Sequence, residues 1–459
     1  MSRFPFLRRC GMALVASGPL LAGIAVAAEP GAAVAKKPDW VGLDRLLWTG
    51  DYAGAAAAAD EIATVVEPHR RDPDFLARSK GFARALMRRG YAECRLGRID
   101  AAAKTFDLAF RTLKDPEFRR VLAMQSRAAN AKVTSELVDL DIMLVELADL
   151  RMGVILERLR AATAGRDADA GHTTDQDASL AAQVAGWLDD LDTLRKNAFQ
   201  ARASLTERFG AAGPAVLSSP SNRSLTGPFG LELIAGATAV ECRRLESRLQ
   251  TTGTSRSIVT EAAHRDWLGE PRDRFAAAAR ALDEAIAAAA PQGETGMKPE
   301  QRIEALLMRT GLFMYEGEEF LEAGDLDPSL ERFTTVVDLL QQIATLRKIP
   351  RPESHPDLFL PLVGQAEATL DKARILLEDG DPAGARDSIL RASKMLARAD
   401  ALTFPTDHPL RAKLARLQAR TDEDLAGVAS TIPGIDAADT AARRLRRAID
   451  RTAFPATPP

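Results

Sequence analysis

The feature that most constrains this chain is the segment 86–116, LMRRGYAECRLGRIDAAAKTFDLAFRTLKDP. Gly90, Ala102, Phe106 and Ala109 fall at the offsets where two antiparallel helices, joined by a short turn at Gly97, must touch. Small residues let the two backbones approach closely, and Phe106 supplies apolar volume. One such pair of helices cannot bury its apolar face alone and requires stacked neighbours. The segment therefore predicts an all-α chain of antiparallel helical hairpins stacked as an irregular α-solenoid.

Composition agrees with that fold class. Apolar residues make up 46% of the chain but aromatics only 5%. Much of the apolar total is alanine, the strongest helix former, and runs of β-branched residues are scarce. The length of 459 residues allows two or three domains or one extended superhelix.

The first 28 residues read as a secretory signal peptide. Arg3, Arg8 and Arg9 precede an apolar stretch from Gly11 to Val26, and Ala25-Val26-Ala27 has the small-x-small cleavage pattern. Cleavage is expected near Ala27 or Ala28, leaving a periplasmic or secreted protein with no stable membrane span. Arg8-Arg9 also permits a twin-arginine route. Losing three arginines with the leader lowers the formal charge from −3 by three units. A mildly acidic chain is a poor general nucleic-acid binder, so no nucleic-acid partner is expected. Cys94 and Cys242 remain, and an oxidising compartment would permit them to pair.

Punctuation along the chain supports stacked units. Asp72-Pro73 and Asp115-Pro116 each read as an N-cap followed by proline at the first helical position. Residues 117–162 read as one or two long helices, with Leu137, Leu140, Ile142, Leu144, Leu147 and Leu150 crowded together. Residues 165–178 read as a polar break and 180–209 as helix. Beyond them, helices are expected near 231–250, 258–268, 272–290, 299–322, 328–347, 357–379, 383–400, 408–428 and 436–452. His355-Pro356 and His408-Pro409 read as helix starts of the same kind. The expected organisation is an N-terminal helical-repeat domain (36–208), a Gly/Pro/Ser-rich linker or loop (209–230), a C-terminal helical-repeat domain (231–452) and a disordered tail (453–459).

The segment 83–116 resembles a tetratricopeptide repeat, on Gly90, Gly97, Ala102, Phe106 and Ala109. Glu93 departs from the family's usual tyrosine, and Pro116 falls late. A second match runs over 310–340, with Phe313, Gly317 and Phe320, a turn at Gly324-Asp325-Leu326, Ser329 in an alanine position, and Phe333. A third covers 366–400, with Ala373, Leu376, Gly380-Asp381-Pro382, Ala385 and Ala392, and a fourth centres on Gly50-Asp51-Tyr52 with Ala55. The resemblance implies a concave helical groove that binds a protein or peptide partner without catalysis.

Chemistry-bearing motifs are sparse. His69, His172, His264, His355 and His408 have no zinc-type spacing, and no phosphate-loop or dinucleotide glycine pattern occurs. No cofactor or metal is therefore expected. Asp167-Ala168-Asp169-Ala170-Gly171 hints at a calcium loop but has Ala178 where a bidentate acid is needed. Glu246-Ser247-Arg248 is similar to the catalytic Glu-Ser of exported lytic transglycosylases, whose downstream pattern is missing here. That similarity supplies one alternative, a cell-wall-active enzyme on a helical scaffold. A carbohydrate-capture protein of the outer-membrane uptake type is another, weakened by only four tryptophans and three tyrosines. Arg443, Arg444, Arg446, Arg447 and Arg451 make the last expected helix basic, which suits a weak contact with an anionic surface.

Overall fold

The computed structural model describes residues 38–70, 73–128, 132–168, 174–209, 228–248, 265–289, 297, 299–402, 405 and 408–431. Among them are fourteen α-helices and no strand. The N-terminal helices are α1 (Trp40–Thr49), α2 (Tyr52–Val65), α3 (Phe75–Arg95), α4 (Ile99–Lys114) and α5 (Pro116–Ala128). Two long helices follow, α6 (Lys132–Ala168) and α7 (Thr174–Phe209), then α8 (Pro228–Arg248) and α9 (Pro271–Ala289). The C-terminal set is α10 (Pro299–Ala323), α11 (Leu326–Leu346), α12 (Phe359–Glu378), α13 (Pro382–Asp400) and α14 (Leu410–Thr431).

Four tight antiparallel hairpins recur: α1/α2, α3/α4, α10/α11 and α12/α13. Each turns at a glycine, Gly50, Gly97, Gly324 or Gly380, whose φ of 76 to 80° lies in the left-handed region that a Cβ disfavours. The following N–H closes the helix end by donating five residues back: Asp51 to the Leu46 carbonyl, Arg98 to Glu93, Asp325 to Phe320 and Asp381 to Leu376, at 2.8–3.0 Å. Caps open the next helices. Asp51 and Asp381 accept the N–H of Gly54 and Gly384, each at 2.9 Å, and Asp115 accepts those of Glu117 and Phe118 at 2.8 and 3.0 Å.

Small residues face large ones across the helix contacts. A Cβ on Gly90 would lie 2.5 Å from the Phe106 ring, and one on Gly317 would lie 2.9 Å from Phe333. Phe333 is also wedged under Gly364 of the next hairpin, at 2.5 Å from where its Cβ would stand. Ala102, Ala109, Ala385 and Ala392 are fully buried, Ala373 nearly so, and Phe320 lies under the Arg272 guanidinium. The α8/α9 pair repeats the device with Gly236 against Phe275, although residues 249–264 interrupt the spacing and hide it from the sequence.

Several sequence expectations need correction. Residues 265–270 form a turn, not the end of a helix over 258–268. Pro73 and Asp74 precede the helix that starts at Phe75, and Asp74, at the N-cap position, makes no side-chain cap bond. The polar break over 165–178 is much shorter, because α6 runs through Ala168 and α7 begins at Thr174; Asp167 is therefore helical, not part of a calcium loop. Cys94 and Cys242 are not joined by a disulfide. The leader, residues 210–227, the helix expected over 436–452 and the tail lie outside the described residues.

The helices enclose two hydrophobic cores that meet within α6. The smaller runs from Leu43 to Val154, and the larger from Met152 to Val428. The halves 36–208 and 231–452 thus share a core, since α6 and α7 pack with α8 to α14. At 1.5 Å per residue, α6 spans roughly 55 Å. It packs against α3, α4, α5, α7, α8 and α14.

The stack also returns on itself through the two histidine–proline pairs. His355 and His408 cap the segments they start, each Nδ1 accepting the N–H two residues on at 3.2 Å. Pro356 fits against Gly50 and the pair His408-Pro409 against Gly97, so closely that a Cβ on either glycine would lie 2.5–2.8 Å from them. The first two hairpin turns therefore dock on the starts of the last elements of the chain.

Candidate functional site

The closing of the array leaves a small cavity of about 40 Å³ between α6, α8, α10, α11, α12 and α14. Phe333, Phe359, Val363 and Leu410 line one side of it, and Arg160, Glu241, Arg244, Glu318 and Lys413 the other. Helical periodicity sets the charged side: Glu157 and Arg160 share one face of α6, as do Glu241 and Arg244 on α8 and Glu318 and Glu322 on α10.

Arg160 is almost fully buried and reaches three carboxylates. Its Nη2 donates to Glu318 at 2.8 Å, its Nε to Glu241 at 3.3 Å and its Nη1 to Glu157 at 3.3 Å. Its guanidinium carbon stands 4.8 Å from the centroid of the Tyr315 ring. Arg244 donates to Glu322 at 2.5 Å, to Glu241 at 3.2 Å and to the Glu318 carbonyl at 3.2 Å. Lys413 meets Glu367 at 2.6 Å.

Burial and charge pull these groups in different directions. Burial pushes the Glu241 carboxyl above the usual range, while the Arg244 and Arg160 guanidiniums beside it pull the other way. Burial alone would raise Glu367 as well. The Lys413 ammonium, with Arg244 and Arg416, outweighs that and holds the carboxyl at about 2. Burial, aided by the Glu241 charge, lifts the neighbouring Cys242 thiol to about 12, which leaves it un-ionised and unreactive at neutral pH.

No protein-family model matches this chain, and no curated protein is similar to it. What the site can do rests on its own geometry. Glu241 and Glu318 are buried acids at a cavity, yet both are held by arginines. Ligand pockets for drug-sized molecules run to about 300–1,000 Å³, far more than the space here.

Glu246 does not join this cluster. It is half-buried and five residues beyond Glu241, about 140° around the helix, so it points away from the cavity. The side chains of Ser247 and Arg248, and all of Arg443, Arg444, Arg446, Arg447 and Arg451, lie outside the described residues. Of the repeat positions only Phe333 lines the cavity. Among the described residues no group of three or more His, Cys, Asp or Glu side chains could hold a metal ion, and no helix is long and apolar enough to cross a membrane. The buried charges come from positions 157 to 413, and no short spacing in the sequence announces them. The single local signal was the Glu-x-x-Arg pair, which occurs at both 157–160 and 241–244.

Proposed function

We propose that this protein is an exported, non-catalytic scaffold of tetratricopeptide-like helical hairpins that binds a protein or peptide partner. One observation carries the reading. The turns at Gly50 and Gly97 are docked within the chain, whereas none of the described residues lies within 4 Å of a Cβ built on their counterparts Gly324 and Gly380. The α10/α11 and α12/α13 turns thus present to the outside a surface of the kind that, on the first two hairpins, already serves as a docking edge. The charged cavity favours the same reading, because its cations and carboxylates neutralise one another.

Site-specific photo-cross-linking from Asp379, in the chain starting at Ala28 and in its native envelope, tests the proposal, with a control cross-linker at Asp74. Both positions are exposed. One protein captured from Asp379 and not from Asp74 is expected. Capture of no specific protein, or equal capture from both sites, overturns the reading. The alternative of a cell-wall-active enzyme is favoured by the raised carboxyl of Glu241, the general-acid type of environment. It requires Glu241→Gln to abolish a cell-wall-degrading activity that the unaltered chain possesses.

A further inference from the structure

Where the first hairpin meets the segment 347–358, hydrogen-bond donors outnumber acceptors. Asp357 is the buried carboxylate there, its side chain 2% exposed, and it is already shared. Tyr52 donates its hydroxyl to it at 2.8 Å, and Arg95 donates a guanidinium N–H. His355 brings no spare acceptor. Its Nδ1 accepts the Asp357 N–H, and its Nε2 lies 3.1 Å from the Trp48 carbonyl oxygen, which assigns the ring proton to Nε2.

Among the described residues, four buried nitrogen atoms in this joint have no hydrogen-bond partner: Trp48 Nε1, Arg95 Nε, and both Nη1 and Nη2 of Arg347. All four are donors. The Arg347 guanidinium carbon stands 5.4 Å from the centroid of the Trp48 ring, and that of Arg95 stands 5.3 Å from the Tyr52 ring, so each cation lies on an aromatic face. Two permanent cations thus share one carboxylate, an imbalance of one positive charge. Burial pulls the Arg347 guanidinium down to about 10, against the opposing pull of Asp357.

The backbone beside the site is unusual too. Lys348 and Arg351, with φ of 55 and 54°, are the two non-glycine residues in the left-handed region among those described. At Lys348 this conformation closes the end of α11, where Ile349 donates its N–H to the Ala344 carbonyl at 2.9 Å; at Arg351 it is a strained conformation of the kind that concentrates at ligand sites. Both residues are exposed, so they add cationic charge at the surface of the same segment.

A planar monoanion with two acceptor oxygens matches what is unmatched here. Nη1 and Nη2 form the end of a rigid fork suited to both oxygens of a carboxylate, and the excess charge is one. We propose that Trp48, Arg95 and Arg347 form a binding site for a carboxylate group at the junction of the first hairpin with the 347–358 segment.

The test uses the full chain and acetate as the probe, with chloride at equal ionic strength as the control. Thermal unfolding is expected to show a saturable rise of the midpoint in acetate and none in chloride. Arg347→Met is expected to abolish the acetate response while leaving the far-ultraviolet circular dichroism unchanged, since it strands no acceptor. Should that variant fail to fold, acetate titration of tryptophan fluorescence, compared with Trp48→Phe, decides: the saturable change must vanish in Trp48→Phe. Absence of a saturable acetate response in the unaltered chain, an equal response in Arg347→Met, or a response to inorganic phosphate alone overturns the proposal.

Discussion

A methyl group added at position 90 would stand 2.5 Å from the edge of a ring that is itself 1% exposed. Alanine is the better helix former by about 1 kcal/mol, but overpacking a rigid core contact costs about 1–3 kcal/mol. Gly90→Ala is therefore expected to destabilise the protein, and adding Phe106→Leu to recover part of the loss; a double-mutant cycle of denaturant midpoints measures this. The residue pattern of α3/α4 was legible because both partners of the contact lie within one short segment. The charged cavity was not, because Arg160, Glu241, Glu318 and Lys413 come together only after the whole array has formed. Its members differ in what their loss would do. Arg160→Met takes from the buried Glu318 its donor at 2.8 Å, while Glu241 keeps Arg244, and is expected to cost about 3–5 kcal/mol. Glu241→Gln should change stability by less than about 1 kcal/mol, since Arg160 keeps Glu318 and Arg244 keeps Glu322. Thermal melts of the two variants separate these outcomes. Glu367 sets a pH dependence of definite sign. Its folded value of about 2 lies below the ordinary 4.5. Its contribution is complete above pH ~4.5 and is lost as the pH falls from there through about 2. Replacing Lys413 by Met should flatten this part of the stability–pH curve.

Among the elements, α6 has the most unusual duty. Both cores claim residues of it, and Met152 to Val154 is where they overlap. The sequence marked this stretch as helix through its crowded leucines, but not as a shared central strut. Nothing local tells a helix how many neighbours will surround it, and an apolar surface on all sides is the one hint. Boundaries were legible where caps stand, as at Asp115 and Asp381, and illegible at 265–270, where an apolar tryptophan–leucine pair belongs to a turn. Proline at Gly153 removes a backbone donor and breaks the helix at the overlap, at a cost of about 3 kcal/mol or more. Calorimetry of Gly153→Pro is expected to show a lowered unfolding midpoint but still one transition, since the docked Gly50 and Gly97 turns and the Tyr52–Asp357 bond also join the two cores; two resolved transitions would mean that α6 alone couples them.

For the molecule as a whole, the decisive contacts are those between its first and last hairpins. Tyr52 and Asp357 are 305 residues apart and yet 2.8 Å from one another. The histidine–proline pairs could be read from the sequence as helix starts, but not as docking partners of distant glycine turns, because the match is one of shape. Gly50→Val would force a Cβ into Pro356 at a backbone angle that valine disfavours. Hydrogen exchange across Trp40–Thr49 should quicken in that variant while exchange in α9 is unchanged. Closure between the two ends also orders events in time. A ribosome releases the hairpins that carry Gly50 and Gly97 long before it has made their partners, at a pace of roughly 5–20 residues per second. The gap of 305 residues corresponds to at least about 15 seconds during which those turns are finished but undocked. For that interval the newborn chain presents its own interior edge to whatever chaperone or neighbour is at hand.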